Sequence, residues 1–155
     1  MKNHNEKKSS PKEFQNILDA IELLIKSDTY REIGNELLGK IDTKSLSPKQ
    51  LAHYQYLNAR YHVYIYRKDK DLEDLEYAND FLDEMTSSAF NSGYIIKDVR
   101  YLFTRAHTKY ELAKTVWEED RKPWLLEKAR HITQTALRFN PENSSFIWLQ
   151  EQLVD

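Results

Sequence analysis

Apolar residues along this chain recur at i, i+3, i+4 and i+7, and nowhere in strict alternation. That period is 3.6 rather than 2, so the pattern predicts helices and no strands. The first stripe is Phe14, Ile17, Leu18, Ile21, Leu24 and Ile25. Its start is marked by Ser10-Pro11-Lys12-Glu13, with serine at the N-cap, proline at N1 and glutamate at N3. Ser27-Asp28 ends that helix and opens a second, carrying Ile33, Leu37, Leu38 and Ile41, with Gly39 near its end. Ser47-Pro48-Lys49-Gln50 repeats the starting signal. The helix from Pro48 to about Tyr66 is apolar nearly all round. Leu51, Tyr54, Leu57, Tyr61 and Tyr64 fall on one face, and Ala52, Tyr56, Ala59, Val63 and Tyr66 on another. A helix of that kind is expected to have neighbours on more than one side.

After a short turn at Lys68–Lys70, Asp71 caps a fourth helix with Leu72, Leu75, Ala78, Leu82 and Met85. Asn91-Ser92-Gly93 breaks the chain. A long stripe follows from about residue 94, through Ile95, Val99, Leu102, Phe103, Ala106, Tyr110, Ala113 and Trp117. Pro123 is read as opening the next helix, with Leu125, Leu126, Ala129, Ile132, Ala136 and Phe139. Asn140-Pro141-Glu142-Asn143 stops it and starts a last short helix with Phe146, Leu149 and Leu153. Short turns between amphipathic helices favour antiparallel hairpins. The expectation is therefore an all-α chain of six long helices in three hairpins, closed by a capping helix from about Asn143.

Composition narrows the function classes. At 155 residues the chain fits one domain, expected over 11–155 behind a disordered polar leader at 1–10. Cysteine is absent, which removes disulfides, thiolate zinc sites and a cysteine nucleophile. Three glycines are too few for phosphate-cradling loops. A formal charge of -2 with mixed signs offers no footprint for nucleic acid or anionic lipid. Met1–Ser10 lacks the apolar stretch of a signal peptide, and the longest apolar runs are too short to span a bilayer, so a cytoplasmic location is expected.

One segment carries a family resemblance. Ala129, Ala136 and Pro141 have the spacing of the small residues and closing proline in the second helix of a tetratricopeptide repeat. Arg138-Phe139-Asn140-Pro141-Glu142-Asn143 is similar to the turn between such repeats. His107 stands where that family has a small residue, and the middle pair, with Ala78, Leu82 and Met85, has no closing proline. The resemblance covers residues 12–154 as an architecture and the last third as a motif. It implies a right-handed superhelix of three stacked hairpins whose first helices, about 12–26, 48–67 and 94–117, line a concave groove for a partner's peptide or helix. A non-catalytic interaction module, adaptor or chaperone-like, follows as the functional expectation, with no cofactor and no metal.

Within that frame Tyr54, Leu57 and Tyr61 are taken as anchors against the sister helix. This phase assigns Asn58, Arg60, His62, Tyr101, Arg105 and Lys109 to the groove. Tyrosine and arginine tend to carry interface energy, and the mixture suits a partner segment that is acidic or ends in a carboxylate. Some tetratricopeptide domains clamp such a carboxylate, and Lys12, Asn16, Asn58, Arg105 and Lys109 are residues of the right types. Their helical phase does not fit Phe14, Tyr54 and Phe103 as packing anchors.

The alternative is catalytic. Asp69, Asp71, Glu73, Asp74, Glu76, Asp80, Asp83 and Glu84 crowd one helix. All-α nucleotide pyrophosphohydrolases hold magnesium between paired acidic motifs on facing helices. Glu73-x-x-Glu76 and Asp80-x-x-Asp83 have that spacing but share one helix, and Glu32-x-x-Asn35 is an incomplete facing set. The plainer reading is an acidic, solvated helix face. A calcium loop is excluded, because Asp74 stands where it needs glycine. His107/Glu111 and Glu127/His131 are single i, i+4 pairs, short of the three converging ligands of a zinc site. The tyrosines among Arg60, Arg67 and Lys68 could stack on single-stranded bases, but the same spacing is that of packed core rings.

Overall fold

Serine hydroxyls start two of the main helices. In the computed structural model, which describes residues 10–154, α1 runs Pro11–Lys26 with the Ser10 hydroxyl accepting from the Glu13 amide. Of the leader expected at 1–10, residues 1–9 lie outside the described residues and Ser10 serves as the cap of α1. After α2, Arg31–Gly39, and a single 3-10 turn at Thr43–Ser45, α3 runs Pro48–Asp69. It opens on a complete capping box: the Ser47 hydroxyl accepts from the Gln50 amide and the Gln50 side chain accepts from Ser47. Lys70, in left-handed conformation at φ 57°, turns the chain into α4, Leu72–Asn91, capped by Asp71. Then come α5, Val99–Thr115, α6, Arg121–Phe139, and α7, Ser144–Gln152, capped by the Asn143 side chain. All regular structure among the described residues is helical.

Consecutive helices pack as α1 on α2, α3 on α4 and α5 on α6, and α1, α3, α5 and α7 touch in series. Ala52, Ala59 and Ala78 lie buried in one cluster with Leu57, Val63, Leu82 and Met85. A second cluster holds Leu75, Leu112, Ala113, Val116 and Leu125. A third joins Ala106 to Ala129, Ile132, Leu149 and Leu153. Leu102 packs against the first and third, and Leu126 against the second and third, which ties the three together.

Four sequence expectations need correction. The stripe from residue 94 is not yet helix: Asp98 caps α5 through the Arg100 amide, and Ile95 is 73% exposed in the extended connector before it. The same helix ends at Thr115, which leaves Trp117 82% exposed. α6 begins two residues before Pro123, which sits in its first turn, where the missing N–H costs nothing. α2 is short, at nine residues, and presents Gly34 and Leu38 to the core instead of Ile33. A Cβ at position 34 would lie 3.0 Å from Ile25 Cγ1, so the glycine is what allows α2 this close to α1. The other two tryptophans, Trp124 at 49% and Trp148 at 44%, are also partly in water. No helix of the described residues is long and apolar enough to cross a membrane.

Candidate interaction face on α1, α3, α5 and α7

Three stripes at helical spacing and one residue of α7 come together on one side. α1 gives Gln15, Asp19 and Glu22; α3 gives His53, Tyr56, Arg60, Tyr64 and Arg67. From α5 come Arg100, Thr104, His107, Glu111 and Lys114, and from α7 Trp148. Contacts between helices tie them into a single surface. The Gln15 amide meets His53 Nδ1 at 3.1 Å, and His53 Nε2 meets Glu22 at 3.0 Å. Arg100 donates to the other Glu22 oxygen at 3.1 Å, and its guanidinium lies 5.9 Å from the Tyr56 ring. At the far end His107 stacks on Phe103 and lies 5.9 Å from Trp148.

The electrostatics differ along this face. Hydrogen bonds from His53 and Lys26, with Arg100 close by, overcome burial and hold the Glu22 carboxyl down at about 2. Burial works to raise Asp98, but its hydrogen bonds from Arg100 outweigh that and leave it lowered. Burial lowers the His107 imidazole, against the opposing pull of Glu111 at 3.3 Å. Burial also lowers Arg67, with Arg60 adding to the effect.

A cavity of about 170 Å³ opens between α1, α3, α5 and the connector before α5. Its floor is apolar and aromatic: Ala52, Tyr56, Met85, Tyr94, Ile96 and Tyr101. Its rim is charged: Asp19, Glu22, Lys49, His53, Asp98 and Arg100. A dry hole of about 150 Å³ accepts benzene, so this one has room for one large apolar side chain.

Of the six residues assigned to the groove from sequence, the structure places only Arg60 openly on this face. Tyr101 reaches the cavity floor but is 2% exposed, its hydroxyl on the Leu82 carbonyl and the Thr86 hydroxyl. Asn58 is turned back onto the Tyr54 carbonyl of its own helix. His62 pairs with Asp74 at 2.8 Å, and Arg105 and Lys109 both reach Asp83, at 3.1 and 2.9 Å. These are contacts to α4. The reason is helical phase. The large rings Tyr54 and Tyr61 are only partly buried, with Tyr61 bonded to Glu32 of α2, while Ala52 and Ala59 lie in the core. Sequence reasoning missed Glu22, His53 and Arg100 altogether. Their signal was the i, i+3 and i+4 continuation of polar positions along the three first helices.

The acidic run is divided: Asp69, Asp71, Glu73, Asp80 and Glu84 are exposed, as a solvated face requires, while Asp74, Glu76 and Asp83 are partly buried and paired. Arg121 grips Glu76 with two bonds of 2.6 Å, Asp83 serves Arg105 and Lys109, and Asp74 serves His62. Asp80 is left beside Glu76 and Asp83, and burial followed by those two neighbours raises its carboxyl. The helices opposite this run supply cations, where a two-metal site needs a second set of carboxylates. No cluster of three or more metal-ligating side chains forms among the described residues. Comparison with known proteins finds no matching family, no matching curated protein and no matching solved structure.

Proposed function

We propose that the chain is a non-catalytic protein-interaction module of tetratricopeptide-like architecture, three hairpins and a capping helix stacked as a right-handed superhelix. The partner lies on the face of α1, α3, α5 and α7. Support for the stacking comes from the contact order: each helix packs on its successor, and every second helix also touches in series. Ala129 and Ala136 are fully buried in α6, as small residues at those repeat positions must be. Salt bridges on Glu76 and Asp83 count against the pyrophosphohydrolase alternative.

The observation that carries the reading is the cavity with an aromatic floor and a charged rim, built jointly by the helices that would line the groove. Such a pocket suits an apolar anchor residue of a partner, ringed by polar contacts. A displayed library of random peptides selected on the wild-type protein tests it. Ile96→Trp fills the pocket from the connector, outside any helix. Selected peptides are expected to bind this variant about tenfold more weakly, with helical circular dichroism unchanged. Equal affinity for both proteins would sink the assignment.

A further inference from the structure

Arg60, Tyr64 and Arg67 lie at i, i+4 and i+7, one stripe of α3. The two guanidinium carbons sit 4.6 and 5.8 Å from the Tyr64 ring centre, so they are at most about 10 Å apart. Arg60 is pre-positioned, because its Nη2 donates to the Tyr64 hydroxyl at 2.7 Å. Arg31 also lies over this ring, at 4.5 Å, but its charge is met by Asp28 at 2.8 Å. Arg100, Arg105 and Arg121 hold Glu22, Asp83 and Glu76. Arg60 and Arg67 have no carboxylate at ion-pair distance among the described residues. The nearby acid, Glu111, is already taken by Lys114 at 3.1 Å and His107 at 3.3 Å. A chain with more acids than bases thus leaves two neighbouring guanidiniums unmatched on its interaction face.

We propose that Arg60 and Arg67 receive a short acidic segment of a partner protein, one carboxylate on each guanidinium. This rests on the interaction-module reading and adds the partner's chemistry to it. Guanidiniums already ordered on an aromatic ring lose little freedom on taking up a carboxylate. Carboxylates at i and i+2 of an extended chain lie about 6.6 Å apart on one side, within that limit. A longer polyanion such as a nucleic acid does not fit. Going toward α1 the face turns acidic at Glu22, Asp19 and Asp98, which confines the favourable stretch to a few residues.

The probe is a fluorescein-labelled twelve-residue peptide of Ser, Gly and Leu with two Glu two residues apart, beside its Gln counterpart. Only the Glu peptide is expected to shift the Nε–Hε resonances of Arg60 and Arg67, leaving Arg121 unmoved. R60Q and R67Q are each expected to weaken its binding about threefold, within the range for an exposed ion pair. R138Q, an exposed arginine on α6, is expected to match wild type. Equal binding of the Gln peptide, or wild-type affinity in R60Q and R67Q, overturns the proposal. So does inorganic phosphate if, at matched concentration, it produces the same shifts and displaces the peptide, since the site is then a general anion site. The two readings fail separately. Loss in the arginine variants with library peptides indifferent to Ile96→Trp overturns the pocket assignment alone. The reverse pattern overturns the acidic segment alone.

Discussion

Lys109 is 1% exposed, an unusual place for an ammonium. Asp83 at 2.9 Å and the Asn79 amide oxygen at 2.8 Å satisfy it, with the Trp124 ring 5.7 Å away. Burial still dominates and lowers its pKa, against the opposing pull of Asp83. Removing the anion leaves a buried charge with only a neutral partner. Asp83→Ala is expected to cost about 3 kcal/mol, the low end for a broken buried pair because Asp83 itself is partly exposed. Urea unfolding measures it, and a loss under about 1 kcal/mol would show that the pair contributes no more than a surface bridge. In the sequence both residues look like ordinary surface charges. The readable clue is reciprocal spacing: Asn79 and Asp83 at i, i+4 on α4 answer Arg105 and Lys109 at i, i+4 on α5.

The starts of α1, α3, α4 and α7 were legible because they are local chemistry; α2 begins at Arg31 after Tyr30, without the side-chain cap expected from Ser27-Asp28. Ser10 and Ser47 cap through their hydroxyls, and Asp71 and Asn143 do the same with carboxylate and amide. Helix phase was not, since it depends on which neighbour each side chain meets. Tyr54 and Tyr61 carry more area than Ala52 and Ala59, yet the alanines are the ones fully within the first cluster, while the tyrosines only border it. The connector before α5 was misread for a related reason: Ile95 and Ile96 continue an apolar stripe, but the Asp98 carboxylate competes for the first amides and starts the helix later. Gly34 makes the same point for α1 and α2. A helix interior normally favours other residues over glycine by up to about 1 kcal/mol. Here Leu24 Cβ and the Ile25 backbone nitrogen stand 3.1 and 3.2 Å from where a Cβ would go. Gly34→Leu is expected to destabilise by about 2 kcal/mol through overpacking. A thermal midpoint at or above wild type would show that α2 can slide away without loss.

Across the whole molecule, Glu22 joins three helices: it stands on α1 and binds His53 of α3 and Arg100 of α5. Its folded pKa of about 2 lies below the ordinary 4.5. The unfolded chain therefore takes up this proton first as pH falls. The stabilisation is complete above pH 4.5 and drains away between about 4.5 and 2. Glu22→Gln is expected to cost about 1 kcal/mol at neutral pH, and to flatten that acid limb in a series of urea titrations. An acid limb identical to wild type would place the titrating group elsewhere. Such bridges join residues 31 and 78 positions apart, so single-helix patterns gave no sign of them. The tryptophans carry a further consequence. Trp117, Trp124 and Trp148 are all at least 44% exposed, and all follow residue 116. Intrinsic emission excited at the indole band therefore begins close to its aqueous colour in the native protein. It reports little when the core melts, and it turns blue when something dry settles over Trp148.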